Sequence, residues 1–354
     1  MSKMRSLSLA LAALMLSAGA WAQTGNRAFL FPSGGNANVT VVDATTLANL
    51  AAIAASPNAF QAVSTPDGTK HYIIANNAVN TVTVVTGATF AVIRRVNLGA
   101  NASVAAVSPD GRRLLIAAGT HRIHDTATDN ELANIGVGGG PTDIEITNDS
   151  TRAYVLSSSS GLITVINLTN NTISNQIAIS APLSMALRSD DARLAVLTTN
   201  LVTIYNTANH NVVNTVPLTN VPLGEVLATP DPSKFVVLNR GVAPSNISRI
   251  IDITAPSVTA IGPGEIAFDQ MVVVDSSTAY GLVTGTNRVA RIDLTTGDST
   301  VQTGFGSGIR AIDISPSGKI LYAASFAAAS IARIDLASGL VTATANIAVG
   351  PTGL

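Results

Sequence analysis

Five carboxylates recur at related places in short segments that each run into a turn: Asp143, Glu145, Glu225, Asp269 and Asp313. Counted back from the Ser or Thr that opens the turn, position −1 is mostly apolar (Val107, Ile146, Leu187, Ala228, Val272, Ile314). Positions −2 and −4 gather these acids together with Gln61 and Ser184. Carboxylates converging in this way suit a hard cation, because calcium takes six to eight oxygen ligands. The chain has no compact Asp-x-Asp-x-Asp-Gly loop, so a solvated acidic wall accounts for the same residues and calcium is the minority expectation. Arg240 and Arg310 are placed at strand entrances, where a guanidinium fork pairs with such acids or clamps an anionic ligand. Asn76, Asn239 and Glu265 complete the candidate ligand surface, on loops beside the same segments.

Other constellations fall short of chemistry. The chain has four histidines, His71, His121, His124 and His210. His121 and His124 lie three apart on an expected strand and so point to opposite faces, where they cannot share an ion. With no partner motif, all four read as solvated or internally satisfied. Ser157–Ser160 precedes Gly161 in an expected loop, without the strand–turn–helix setting of a nucleophilic serine. Gly136–Pro141 is glycine-rich, yet no helix follows it to hold a phosphate. The chain has no cysteine, which excludes disulfides, thiolate catalysis and cysteine metal sites.

The elements that must carry these residues repeat. Runs of β-branched residues end in a polar turn residue at Asp43, Thr86, Asp125, Asn167, Asn206, Asp252, Asp293 and Asp335, a mean spacing of about 42 residues. Within a unit, Phe60–Ser64 is a strand, Thr65-Pro-Asp-Gly68 a turn, and His71–Ala75, Thr81–Val85 and Ala91–Leu98 three further strands. The turn recurs at Ser108–Gly111 and Ser315–Gly318. Apolar residues alternate with a period of two, which excludes a helical solenoid. Four short strands per unit of this length predict an all-β propeller of four-stranded antiparallel blades, eight by count, with seven as the alternative. The sequence opens on a second-strand pattern, Arg27–Phe31. The stretch Gly350–Leu354 is therefore expected to supply the missing inner strand of the first blade.

His71-Tyr-Ile-Ile-Ala-Asn76 followed by Asn80-Thr-Val-Thr-Val-Val85 resembles the YVTN repeat of bacterial secreted and surface-layer propellers. Tyr154, Tyr280 and Tyr322 echo its tyrosine, and Gly139-Gly-Pro141 and Gly350-Pro351 its Gly-x-Pro lead-in. The resemblance covers nearly all of residues 26–354. It implies architecture and export more than activity. The Trp-Asp dipeptide of eukaryotic relatives is absent.

Residues 1–22 read as a cleavable leader: Lys3 and Arg5, the apolar run Leu7–Leu16, then Ala20-Trp-Ala22, so that the mature chain starts at Gln23 and the propeller fills 23–354. The apolar run is shorter than a spanning helix, and no membrane span is expected in the mature chain. Removing the leader leaves 18 basic against 21 acidic residues. With aromatics at 4%, that balance argues against nucleic acid as a partner. Several Asn-x-Ser/Thr triplets, among them those beginning at Asn38, Asn101, Asn148, Asn167 and Asn246, reflect turn and strand-face composition. The expectation is a periplasmic or extracellular monomer that acts as a binding or scaffold module, without a resident cofactor. Its protein or small-molecule ligand would sit at the mouth of the propeller channel. A lactonase-like hydrolase or cofactor-dependent oxidoreductase is the alternative, and a single-stranded nucleic-acid binder comes last.

Overall fold

A computed structural model describes residues 14–17, 27–31, 38–76, 80–218, 224–240, 247–254, 257–262, 266–283, 286, 288–302, 308–315, 317–325 and 330–346. Among the described residues there is no helix, and none long and apolar enough to cross a membrane. The strands form eight four-stranded antiparallel sheets, each built from consecutive strands in meander order. The fold is an eight-bladed β-propeller, and the seven-bladed alternative is set aside. The blades span 14–54, 59–97, 102–135, 141–178, 182–217, 224–260, 268–302 and 309–346, numbered 1 to 8 here.

The chain divides into two compact units. One holds blades 4 to 7, the other blades 8, 1, 2 and 3. Within each unit the first strands of successive blades pack side by side, except that blade 6 meets the first strand of blade 7 through its second strand, so first strands are innermost. Second and third strands read as continuous aliphatic runs because both of their faces are covered. Phe235–Leu238 and Leu194–Leu197 are buried throughout. Facing sheets share apolar layers. Leu197, Ile204 and Val216 of blade 5 meet Val226, Phe235 and Ile251 of blade 6. Ile163 and Val165 of blade 4 meet Met185 and Val196 of blade 5. A lone sheet would leave these faces wet, at roughly 25 cal/mol for each Å² of apolar surface.

Two turns recur because each anchors its own backbone. Between first and second strands, the hydroxyls of Thr65, Ser108 and Thr147 donate to Asp67, Asp110 and Asp149 two residues on. Gly68 and Gly111 supply the positive φ that follows. Between third and fourth strands, a carboxylate of Asp43, Asp125, Asp293 or Asp335 accepts the backbone N–H groups two and three residues ahead. These N–H bonds hold Asp125 and Asp293 below the usual carboxylate range.

A second device joins blades. Second strands of six blades open on a cation: Arg27, Lys70, Arg113, Arg152, Arg193 and Lys234. Four of them reach into the following blade and donate to the carbonyl just past its third strand, at Gly87, Thr126, Thr207 and Leu294 respectively for Arg27, Lys70, Arg152 and Lys234. Tyr72, Tyr154 and Tyr322, two residues along from the same position, send their hydroxyls to the carbonyls of Thr126, Thr207 and Ala44.

The strand Leu14–Ser17 pairs with Arg27–Leu30 as the first strand of blade 1. It lies inside the stretch whose composition reads as a leader. The stretch Gly350–Leu354, expected at this place, lies outside the described residues.

Candidate ligand surface on the inner strands

The antiparallel register fixes which inner-strand positions correspond. Gln61, Val104, Asp143, Ser184, Glu225, Gln270 and Ala311 each pair with the next-to-last residue of the second strand. A bulge precedes this position in six blades and leaves Phe60, Ser103, Thr142, Leu183, Asp269 and Arg310 as the extra residue. Bulges re-aim side chains, and here the re-aimed groups lie at the start of the inner strand.

This register corrects the alignment of one candidate. Asp269 does not correspond to Asp143, and Gln270 takes that place. Blade 7 closes its first turn one residue early, with the Val274 amide on the Thr278 carbonyl, and lacks the Ser or Thr anchor used for counting. The candidates therefore occupy three levels of the strand. Asp269 and Arg310 are bulge residues, Asp143 and Glu225 follow them, and Glu145 and Asp313 lie two residues further along the same face.

Several polar groups in this layer tie one blade to the next. The Gln61 amide donates to the Ala105 carbonyl (2.8 Å) and accepts from the Ala105 N–H (2.9 Å). The Met185 N–H donates to Asp143 Oδ2 (3.1 Å), and the Val226 N–H to Ser184 Oγ (2.7 Å). Each partner is the residue after the corresponding position in the following blade. Asp143 Oδ1 also accepts its neighbour's amide, from Ile144 at 3.0 Å. Asp313 does the same with Ile314 at 2.8 Å. Glu145 is buried.

The structure brings four candidates together in blades 6 and 7. Asn239 closes the second strand of blade 6, opposite Gly224, and its N–H donates to Ser248 Oγ (3.1 Å). Arg240 follows it. Its Nη2 pairs with Glu225 Oε2 in the same blade, and its Nε donates to the Asp269 carbonyl of the next blade at 2.9 Å. The pair stays partly wet, with Arg240 23% and Glu225 12% exposed. Asn76 occupies the place of Arg240 in blade 2, exposed, its N–H on the Asn58 carbonyl at 3.2 Å. Arg310 lies in the first strand of blade 8. Glu265 lies outside the described residues.

Among the described residues no three His, Asp or Glu side chains gather as metal ligands would. Of the solvated and satisfied readings left open for the histidines, burial removes the solvated one for His71, His121 and His124. Ser64 Oγ meets His71 Nδ1 at 2.7 Å, and Phe29 and Phe90 flank the ring. Burial pushes His71 down to about 4 and His121 down to about 3. Ser158–Ser160 form the turn between second and third strands of blade 4.

Sequence reading passed over the fourth residue beyond each third-strand end. Leu47, Phe90, Asp129, Asn171 and His210 all hold a left-handed backbone there, with φ between 57° and 59°. Gly297 and Gly339 stand at the same place in blades 7 and 8. A bulky residue in this region is unusual. The regular spacing from Asp43, Thr86, Asp125, Asn167 and Asn206 is the signal that could have found it. Two of these side chains meet the cation of the preceding blade. Arg27 stacks over the Phe90 ring at 4.7 Å, and Lys70 pairs with Asp129 at 2.9 Å.

The sequence matches no protein-family model, and it matches no curated protein. Solved structures do share the fold. Hydrazine synthase of Kuenenia stuttgartiensis aligns at 20% identity with TM-score 0.62, over 79% of this chain and 96% of that one. The dihydro-heme d1 dehydrogenase NirN in complex with DHE aligns at 16% identity with TM-score 0.70, over 88% of this chain and 72% of that one. A chain of the mitotic checkpoint complex aligns at 14% identity with TM-score 0.59, over 75% and 83%. At such identities the likeness is one of fold, and it places this chain among β-propellers.

Proposed function

We propose that this chain is an exported, YVTN-like propeller that acts as a binding or scaffold module, and that its partner engages the inner-strand ends of blades 6 and 7. One observation carries the reading: Arg240 bridges the two blades through Glu225 and the Asp269 carbonyl while staying partly solvated. A purely structural joint at this place is cheaper with apolar side chains, because desolvating an ion pair offsets much of its attraction. A half-wet guanidinium can instead exchange its internal acid for a ligand's. Export rests on Lys3, Arg5 and the apolar run that follows.

The cofactor-dependent alternative draws support from one neighbour, described as a dihydro-heme d1 dehydrogenase in complex with DHE. That is a property of the neighbour. Here three of the four histidines are enclosed in blade cores, which leaves few axial ligands on offer.

The test uses protein purified from its natural source, analysed by mass spectrometry for co-purifying species and by absorption between about 350 and 700 nm. The module reading expects a retained protein or small molecule that Arg240→Ala releases and Arg94→Ala, a surface control, does not. A visible band that survives Arg240→Ala would favour the oxidoreductase. Retention unaffected by Arg240→Ala would remove the proposed surface.

A further inference from the structure

Blades 4 and 5 flank an open pocket of about 310 Å³ whose lining includes Arg152, Thr169, Ser174, Asn175 and His210 and no carboxylate. Its size falls in the range of small-molecule sites. Arg152 is the only charged residue in that lining. Its Nη1 donates to the Thr207 carbonyl and lies 3.2 Å from the Tyr154 hydroxyl, which fixes the guanidinium at the wall. His210 is clamped by a left-handed backbone (φ 59°), by the edge of the Tyr154 ring, and by the Asn175 amide on Nδ1 at 2.7 Å. An amide N–H facing Nδ1 makes that nitrogen the acceptor, so Nε2 carries the hydrogen. Nε2 is enclosed and has no protein partner.

Blades 2 and 3 show what completes such a site. Lys70 stands where Arg152 does, each as the first residue of its second strand. Asp129 stands where His210 does. Both residues send their N–H to a carbonyl four residues back, at 2.7 Å, and both have φ within a degree of the other. In blades 2 and 3 the Asp129 carboxylate accepts from Lys70 (2.9 Å) and from the Tyr72 hydroxyl (3.0 Å). Between blades 4 and 5 the carboxylate is replaced by an imidazole, and the cation faces the pocket.

We propose that this pocket binds an oxyanion carried on a hydroxyl-bearing molecule, a sugar phosphate being the simplest form. The anion takes the place that the Asp129 carboxylate fills in the sister interface. The Arg152 guanidinium is its donor, and His210 lines the same wall. The Thr169 and Ser174 hydroxyls already donate to Asn167 Oδ1 (2.6 Å) and the Val165 carbonyl (3.2 Å), so their free lone pairs face the hydroxyls of the carrier. The site is separate from the Arg240 cluster, and its fate in a test is independent of that surface.

The experiment titrates the full chain with glucose 6-phosphate, inorganic phosphate and glucose, by calorimetry and by the His210 ring proton in NMR. Glucose 6-phosphate should bind most tightly, inorganic phosphate more weakly, and glucose not at all. His210→Asp supplies the missing carboxylate from within, as Asp129 does. It should weaken glucose 6-phosphate binding by about tenfold or more without lowering the melting temperature. Asn175→Ala, which frees the imidazole, should weaken binding in the same order with less effect. Absence of binding by wild type at about 10 mM of each probe would overturn the proposal. So would a His210 resonance that does not move, or glucose binding as tightly as its phosphate. Inorganic phosphate binding as tightly as glucose 6-phosphate would overturn the carrier assignment.

Discussion

Acid should destabilise this protein well above the pH at which its carboxylates titrate, because two enclosed imidazoles cannot take up a proton in the folded state. His71 is 1% and His121 0% exposed, and burial pushes them down to about 4 and about 3. Both nitrogens of His121 lack a hydrogen-bond partner. In the unfolded chain each ring protonates near pH 6.5. Between pH 6.5 and about 4 the unfolded state therefore binds more protons, and stability falls as the pH falls. One pH unit is worth about 1.4 kcal/mol per group, so at pH 5 each histidine costs about 2 kcal/mol and the pair about 4 kcal/mol. The depressed Asp residues lose their contribution only below about pH 3.8, in a separate window. Urea unfolding followed by circular dichroism at pH 7.5, 6.0 and 5.0 should show the midpoint falling by about 1–2 M over that range. His121→Leu should recover about half of the loss and raise stability at every pH, since it removes an unpaired polar ring. Equal midpoints at pH 7.5 and 5.0 would refute the reasoning, as would a His121→Leu protein with the full wild-type sensitivity.

Other substitutions read the joints between blades. Gln61→Ala leaves the N–H and carbonyl of Ala105 unpaired between blades 2 and 3 and should cost about 2–4 kcal/mol in denaturant unfolding. Ser184→Ala removes one comparable bond and should cost about 1–2 kcal/mol; costs in the reverse order would contradict the inter-blade role of Gln61. Arg240→Lys keeps the charge but cannot both pair with Glu225 and reach the Asp269 carbonyl through Nε, so it should behave like Arg240→Ala in ligand release. Gly281→Ala drives a methyl group into the Phe268 ring and should cost about 1–3 kcal/mol, with Phe268→Leu restoring part of it. Amino-terminal sequencing of the exported protein should begin at Gln23.

The repeat made the architecture readable before any coordinates. Strand order, both turn types and the blade number follow from spacing and from residues whose own side chains close the turns, such as Asp125 and Thr147. The candidate site was less readable. Counting back from a Ser or Thr found Asp143 and Glu225 at one level, because blades 4 and 6 keep that anchor. The same count misplaced Asp269, because blade 7 drops the anchor and shortens the turn. The bulge was invisible, since it is set by twist and by the neighbouring blade rather than by any residue type: Phe60, Thr142 and Asp269 all occupy it. Partners were equally hidden. Gln61 and Asp143 look alike whether they face solvent or a backbone amide 44 or 42 residues away.

The recurring tyrosine then acquires a meaning that differs from a binding signature. Tyr72, Tyr154 and Tyr322 hand their hydroxyls to the carbonyl just past the third strand of the following blade, and for Tyr72 and Tyr154 this lies next to the cation that opens their own strand. The feature shared by the repeats is thus adhesion between sheets, which every interface needs and which says nothing about ligand. Function must be sought where equivalent positions differ. The left-handed turn residue is such a place, because geometry holds its backbone constant while its side chain runs through Leu47, Phe90, Asp129, Asn171 and His210. Leu47 joins the apolar layer of blades 8 and 1, Phe90 covers Arg27 with its ring, and Asp129 neutralises Lys70. In each of these the chain itself completes the joint. At His210 it does not, and the pocket beside Arg152 is the consequence.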